Sequence, residues 1–371
     1  MSSNDEFEKR RNELYEQNMK AWNGDLFETD GNLDTSLKKN TAFIKKLRLG
    51  ITKENESQLV QGVRTISLEK YLNEISSALC EALCKVSKTT DIQCAVEVVS
   101  ALHQRFAHTF TPFVELFFAY SMVQPSSKLL KKDEKDRQVK IKNLIRLAME
   151  FFLCGIFRTI QDMPLTELPL YLTRLKTSSK DDIPVIVPML KEIMSYDFVS
   201  GMSLPGMLSF LKRFSSLIYV DGPRYSENYM IFIRKLLKSY IKNAVSTTET
   251  YHKSIVNKKV TAQVVSLKTG KIAASIEGKI EELQHLFEEF NSFCEFSCPL
   301  ADISLPALES EIERTENSVV TVQHSVSKQN DIWENEEARR FYEDIPSLES
   351  IVSTEVLESI NAKILPHEMK G

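Results

Sequence analysis

The sequence predicts an all-α protein, an α-solenoid of stacked antiparallel helix pairs with two long helices toward its C-terminal end. Apolar residues recur at helical spacing from about residue 5 to residue 298, without any strand-helix-strand alternation. The 371 residues include only 11 Gly and 12 Pro, too few turn formers for an all-β sandwich or propeller. Degenerate repeats of about 40 residues fit better than ankyrin or tetratricopeptide repeats, whose signatures are absent.

The stretch LDTSLKKNTAFIKKL, residues 33–47, combines an apolar stripe with a basic face. Placed on a helix that starts at Leu33, the apolar side chains share an arc of roughly 120°; they are Leu37, Phe43, Ile44 and Leu47. The opposite arc carries Lys38, Lys39, Lys45 and Lys46. We expect the stripe to pack in the first repeat, whereas the lysines either remain in water or contact RNA phosphates.

Apolar spacing predicts three further helices, within Leu68–Val86, Ile92–Phe106 and Ile141–Phe157. The second follows Thr90 and Asp91, a plausible cap and first-turn acid. The third is apolar over so much of its circumference that we expect it to lie centrally.

Shorter helices are expected at residues 164–174, 185–196 and 204–216. The run IPVIVPML looks strand-like, but its two prolines would each remove a ladder donor, so we interpret Pro184 as a helix opener. Two long helices should follow, from Asn228 to about Val265 and from after Lys271 to about Cys298, joined by a turn at Gly270. The segment VTAQVV at residues 260–265 would also suit a strand.

Charge is distributed unevenly along the chain. The formal net charge is −4, but residues 302–371 hold 15 acidic against 6 basic side chains, and residues 1–301 hold 36 against 41. Residues 299–330, polar and containing Pro299 and Pro306, look like a linker. The acidic end is therefore a different segment from the body.

Neither a secretory signal nor a membrane span is expected. The N-terminus is charged from Asp5 onward, and the longest charge-free run, Phe198–Leu211, has 14 residues where a spanning helix needs about 20. We therefore expect a soluble protein. The six cysteines lack metal-site spacing and are expected to be small core residues in a reducing compartment.

The sequence contains no catalytic constellation: a P-loop, GxGxxG, GxSxG, HExxH and the kinase motifs are all absent. Asp181 and Asp182 are expected to be solvated turn residues, and His103 to cap or pack. We therefore predict a non-enzymatic protein without cofactor or metal. Basic runs at 128–142 and 234–259 add to the basic face, but no RNA-recognition or KH module accompanies them.

Several segments resemble one family in the same order along the chain. They are LDTSLKKNTAFIKKL, SLEKYLNEISSAL at 67–79, AVEVVSALHQRF at 95–106, FFLCGIFRTIQD at 151–162 and IWENEEARRFYEDIPSL at 332–348. AWNGDLF at 21–27 looks like the version in fungal members. The family is that of the second up-frameshift factor, the large scaffold of nonsense-mediated mRNA decay. The resemblance covers roughly residues 8–350, and between 258 and 330 it is mostly one of helical texture.

The resemblance implies HEAT-type helix pairs like those of the middle domain of the translation-initiation scaffold four-gamma. It also implies a cytoplasmic scaffold acting on messenger ribonucleoprotein. In the family, later domains and a C-terminal tail bind the up-frameshift helicase and the third up-frameshift factor. Because no part of this chain matches those regions, it looks like an N-terminal fragment or a truncated gene product. Neither membrane nor DNA is an expected partner.

The family pattern suggests four segments along the chain: an N-terminal helical extension (1–30), the first HEAT-like domain (31–298), a linker (299–330) and an acidic segment with a tail (331–371). In the last segment, Trp333, Phe341, Tyr342 and Ile345 have the spacing of one helical face. We expect this face to dock back onto the solenoid, with Trp333 as its anchor. Direct RNA binding and a translation-initiation scaffold remain the alternatives.

Overall fold

A computed structural model describes residues 3–308, except 26, 28, 30, 128, 165–166, 180–181, 220–226 and 270–273. Eleven α-helices lie in this part: α1 Ser3–Trp22, α2 Leu37–Leu49, α3 Glu56–Thr65, α4 Leu72–Leu83, α5 Thr89–Met122, α6 Lys131–Leu153, α7 Leu170–Ser178, α8 Ile186–Ser195, α9 Leu204–Tyr219, α10 Glu227–Thr269 and α11 Ala274–Ala301. Short 3-10 turns lie at Glu69–Tyr71 and Phe198–Ser200. Within the same residues, strand pairing is limited to two isolated bridges, so the all-α class is confirmed.

The described chain forms two compact units, the first of which comprises residues 3–193 and 227–232. In it, α1 and α6 each pack on α5, while α2 packs against α3 and α4. The broad stripe of α6 is buried as expected. Phe151 of α6 meets Phe118 and Phe157 edge to face, with ring centroids 5.4 to 5.7 Å apart.

Helix α5 is longer than the predicted Ile92–Phe106 helix, and it is distorted where that prediction ends. Phe106 has non-helical torsion angles (φ −133°, ψ 34°), and the helix then continues to Met122. Pro112 lies inside the continuation, where it cannot donate to the carbonyl four residues earlier. The apolar spacing of Ile92–Phe106 therefore identified only the first segment of a kinked helix.

The first of the short helices was placed too early in the sequence. Helix α7 begins at Leu170, not at residue 164, and Pro169 occupies the position before it. A proline inside a helix would lack its N–H and clash with the preceding turn, so the helix begins after Pro169. Pro184 precedes α8 but also lies in an antiparallel bridge with Thr159, so the IPVIVPML run carries both a strand-like pairing and a helix.

The second unit comprises residues 194–219 and 233–308, with the gap given above. Helix α9 packs on α11, and the VTAQVV segment is helical within α10. Tyr240 lies against Phe293 and Tyr251 lies against Phe290, so later residues of α10 meet earlier residues of α11. The two long helices are therefore antiparallel, as predicted.

Five of the six cysteines are buried and Cys84 is half-buried; all six are unpaired thiols. Burial raises the pKa of the Cys80 and Cys94 thiols to about 12. Within the described residues, no helix has the length and apolar character needed to cross a bilayer.

Candidate functional site

Helix α2 carries the predicted basic face, and hydrogen bonds fix both of its ends. Ser36 is the N-cap, and its hydroxyl oxygen accepts a hydrogen bond from the Lys39 N–H at 3.4 Å. Asp34 accepts one from the Ser36 N–H at 2.8 Å. Hydrogen bonding to the Ser36 side chain, and next to this N–H, lowers the pKa of Asp34. At the other end, Gly50 has a φ of 131°, and its carbonyl accepts a hydrogen bond from Asn55 at 2.7 Å. The orientation of α2 is therefore well defined.

The buried face of α2 differs in part from the predicted stripe. Phe43 and Leu47 are buried as expected, and Ile44 is half-buried, but Leu37 is 65% exposed. Asn40 is buried instead. Because the helix begins only at Leu37, Leu33 lies outside it, and the covered arc is centred on the residues that face α3 and α4. The prediction for Leu37 was wrong.

Close packing of α2 against α3 depends on Gly62. A Cβ at this position would lie 2.7 Å from Cδ2 of Phe43, closer than real contacts allow. The missing side chain therefore lets the Phe43 ring approach α3 closely.

Three of the predicted lysines project into solvent. Lys38, Lys39 and Lys45 are exposed and form no ion pair with any residue that the structure describes. Lys46 is half-buried and donates a hydrogen bond to Gln58. Arg48, at the C-terminal end of the face, forms a half-exposed ion pair with Glu81 at 3.1 Å. Lys38, Lys39 and Lys45 are thus the part of the face without an ion pair among the described residues, although the charge of Lys39 acts on the nearby Asp34 carboxylate.

The basic runs at 128–142 and 234–259 do not place all of their positive side chains in solvent. Arg137 lies 3.5 Å from Glu134, and both side chains are mostly buried. Arg234 donates a hydrogen bond to the Ile218 carbonyl at 2.6 Å, so it stabilises the fold of the second unit. The basic composition of these runs overstates the positive surface that they offer.

Sequence patterns did not reveal the polar contacts that attach α1 to the first unit. Arg11 pairs with Glu150 in the interior, with Nη2 2.8 Å from Oε2. Asn18 donates hydrogen bonds to the Ser100 hydroxyl and the Cys154 carbonyl, at 3.1 and 2.8 Å. The indole N–H of Trp22, in the AWNGDLF segment, donates to a backbone carbonyl at 3.0 Å. Charged residues on a predicted helix normally indicate a solvated face, which is why this contact was missed.

His103 is fully buried in the same region. Its Nε2 lies 3.1 Å from the Asn18 carbonyl, which can only accept, so Nε2 carries the proton and Nδ1 accepts from the Thr111 hydroxyl at 2.7 Å. Burial lowers the pKa of His103 to about 4. A neutral imidazole with both nitrogens satisfied is a packed residue, as expected from the sequence.

The chain is related to proteins of one decay pathway. It is 32% identical over 376 residues to nonsense-mediated mRNA decay protein 2 of Saccharomyces cerevisiae, covering 95% of this chain and 34% of that protein. The solved N-terminal mIF4G domain of S. cerevisiae Upf2 superposes with a TM-score of 0.73 at 29% identity, covering 81% of this chain and 98% of that domain. The chain is homologous to Upf2.

The other comparisons agree with this relationship to Upf2. Human regulator of nonsense transcripts 2 is 25% identical over 331 residues, covering 86% of this chain and 25% of that protein. The first MIF4G domain of human UPF2 has the same fold, with a TM-score of 0.62 at 22% identity over 82% of this chain and 95% of that domain. No protein-family model matches the chain. The helical-repeat fold that the resemblance implied is confirmed.

The match to Upf2 concerns part of a longer protein. This chain spans about a third of the S. cerevisiae relative and about a quarter of the human one. The candidate docking residues Trp333, Phe341, Tyr342 and Ile345 lie outside the described residues. Their docking and the domain boundaries at 30, 298 and 330 stay predictions.

Proposed function

We propose that this chain is a non-enzymatic scaffold in nonsense-mediated mRNA decay, and that it acts in the cytoplasm by presenting helical surfaces to other components of the surveillance complex. The observation that carries the proposal is its combined sequence and fold similarity to the N-terminal mIF4G domain of Upf2. Because a fold does not determine a function, the 32% sequence identity, which extends over 95% of the chain, supports the proposal more than the fold does.

The surfaces of the first unit suit such a role. Helix α2 is capped and packed on one side, so its exposed face has a fixed orientation. A preorganised surface binds with a smaller entropic cost than one that must be ordered during binding. The helicase and the third factor, which the resemblance assigns to later regions of the family, are proposed as members of the same complex and not as direct ligands of this chain.

The test is the stability of a reporter mRNA that carries a premature stop codon, measured in the organism that encodes this chain. Disrupting its coding sequence should lengthen the half-life of that reporter several-fold and leave a matched reporter without the stop unchanged. Equal half-lives before and after disruption would contradict the proposal. A change in both reporters would point to a general effect on translation or decay.

A second candidate function is direct binding of single-stranded RNA through α2. The observation that favours it is the set of exposed lysines without described ion pairs: Lys38, Lys39 and Lys45. Phosphate contacts of this kind are independent of sequence and weaken steeply with salt. Labelled single-stranded RNA titrated with the purified chain at two salt concentrations decides the question, because failure to bind at the lower salt eliminates this function.

A further inference from the structure

The first unit contains a cleft of about 250 Å³ beside the N-terminal helix. Tyr15 and Met19 of α1 form one wall, and the segment that follows α6 forms another, with Phe157 and Arg158. Tyr229, at the start of α10, closes a third side. Binding sites for cofactors and drug-sized molecules usually enclose about 300–1,000 Å³, so this volume suits a single long side chain.

Contacts within the segment that follows α6 hold this wall of the cleft in place. The guanidinium of Arg158 stacks on the Trp22 ring, 4.2 Å from the ring centroid, and its Nη2 lies 2.6 Å from Oδ1 of Asp162. The other Asp162 oxygen accepts hydrogen bonds from the backbone N–H and the hydroxyl of Thr159, both at 3.3 Å. The polar groups are therefore positioned before any ligand arrives.

The lining carries an excess of negative charge. Arg158 neutralises Asp162, which leaves the second carboxylate of the lining, Asp182, without a full positive partner among the lining residues that the structure describes. From the residues that the structure describes, Asp182 accepts a single long hydrogen bond, from the Thr159 hydroxyl at 3.4 Å. Burial raises the pKa of Tyr229, and the charges of Asp182 and Asp162 raise it further. A negative field therefore extends to the aromatic wall.

We propose that this cleft binds an arginine side chain of a partner polypeptide. A guanidinium would pair with the Asp182 carboxylate while its flat face lies against the tyrosine rings. The methylene stem would contact Met19 and Phe157, the apolar part of the lining. Arginine suits the cleft better than lysine because its planar group stacks on aromatic rings and donates several hydrogen bonds in fixed directions.

The proposal deepens the scaffold role and rests on it only in assigning the arginine to a polypeptide partner. Its test measures binding by the purified chain and requires no mRNA decay. A negative binding result with an intact reporter response would therefore remove the arginine site alone.

Three capped tripeptides serve as probes: Gly-Arg-Gly, Gly-Lys-Gly and Gly-citrulline-Gly, in which citrulline has nearly the shape of arginine but no charge. Trp333→Phe leaves Trp22 as the only tryptophan of the two in the chain, so its fluorescence reports on the Arg158 stack. The arginine peptide should bind saturably, and the citrulline peptide should bind at least roughly tenfold more weakly.

Asp182→Asn should weaken binding of the arginine peptide by roughly fivefold to tenfold. Asp136→Asn, which removes an exposed carboxylate of α6 outside the cleft, should leave binding unchanged. Tyr229→Phe keeps the ring and should retain binding, whereas Tyr229→Ala should lose most of it. Equal binding of arginine and citrulline peptides, equal binding of the lysine peptide, or no response to Asp182→Asn would overturn the proposal.

Discussion

The Arg11 guanidinium and the Glu150 carboxylate form an ion pair inside the first unit, with side chains 6% and 0% exposed. Arg11 donates from both Nε and Nη2 to one carboxylate oxygen, at 3.0 and 2.8 Å. A charge that loses its partner in such surroundings is strongly destabilising, whereas an apolar replacement of both partners is often neutral.

Arg11→Met should therefore lower the free energy of unfolding by roughly 3–5 kcal/mol, because it leaves the Glu150 carboxylate buried without its guanidinium. The double variant Arg11→Met, Glu150→Met should recover most of that loss. Urea denaturation followed by circular dichroism measures both. Equal free energies of unfolding for the single variant and the parent chain would show that the ion pair does not stabilise the fold.

Stability should depend on His103 at mildly acidic pH. The pKa of His103 is about 4 in the folded chain and 6.5 in the reference state, so the unfolded chain binds more protons between these values. The contribution of the neutral imidazole is complete above pH 6.5 and is lost as the pH falls toward 4. Between pH 7 and pH 5 the loss should be on the order of 2 kcal/mol.

The comparison is between the parent chain and His103→Gln, each unfolded in urea at pH 7 and pH 5. The variant loses hydrogen bonds at both values, but its stability should change less with pH than that of the parent. If the stability of both chains changed equally with pH, His103 would not be the source of the pH dependence.

Glu115 should show the opposite dependence on pH. Its side chain is fully buried, neither carboxyl oxygen has a well-formed hydrogen bond, and burial raises its pKa well above 4.5. The folded state therefore favours the protonated acid, whose contribution is complete below pH 4.5 and is lost as the pH rises through the folded pKa.

Replacing Glu115 by Gln removes the ionisable group while keeping its size. We expect the free energy of unfolding of this variant to exceed that of the parent at pH 8 and to approach it near pH 4.5. Thermal unfolding across that range is the measurement. A variant that is less stable than the parent at pH 8 would contradict this expectation.

Gly155 allows α1 to lie close to the chain that follows α6. Its φ is +72°, and a Cβ there would lie 3.0 Å from Cδ2 of Tyr15 and 3.3 Å from the Met19 sulfur. Gly155→Ala should lower the free energy of unfolding by about 1–2 kcal/mol from backbone strain, and by more if α1 shifts.

Gly206 provides a matched control for that substitution. It lies in α9 without a positive φ, and an added Cβ would meet no atom within 4 Å. Gly206→Ala should raise the free energy of unfolding by about 0.5–1 kcal/mol. Equal effects of the two substitutions would mean that the Gly155 position is not constrained.

If α2 binds RNA, neutralising two of its lysines should reduce the salt dependence of binding. The double variant Lys38→Gln, Lys45→Gln should lower the slope of log affinity against log salt by about 1.4, since each phosphate contact with a single strand contributes about 0.7. Lys279→Gln, at an exposed position among acidic residues of α11, is the control and should leave the slope unchanged.

Helical spacing predicted most of the fold because each stripe records a local requirement, that one face of a helix be covered. Phe43 and Leu47 follow this rule. Leu37 does not, because exposure in the first turn depends on whether a neighbouring helix reaches it, which spacing along the chain does not encode. Asp182 was correctly predicted to be exposed.

The cleft could not be predicted from the sequence, for a related reason. Tyr15, Arg158, Asp182 and Tyr229 are separated by long stretches of chain and share no spacing. The bridge between Thr159 and Pro184 brings Arg158 and Asp182 into the same lining, and the packing of α1 on the first unit adds Tyr15. The lysines of α2, by contrast, lie within nine residues and were found from the sequence alone.

The hydrogen bonds that Arg11, Asn18 and Trp22 donate from α1 form a polar seam between this helix and its neighbours. This seam also determines how α1 is aligned. An apolar stripe tolerates a slide of one helical turn, about 5.4 Å, because one aliphatic residue substitutes for another. The same slide would leave the Glu150 carboxylate, the Ser100 hydroxyl and the Gly155 carbonyl without the donors that now satisfy them. We therefore expect the seam to reject misaligned arrangements during folding, so that α1 adopts a single register on its neighbours.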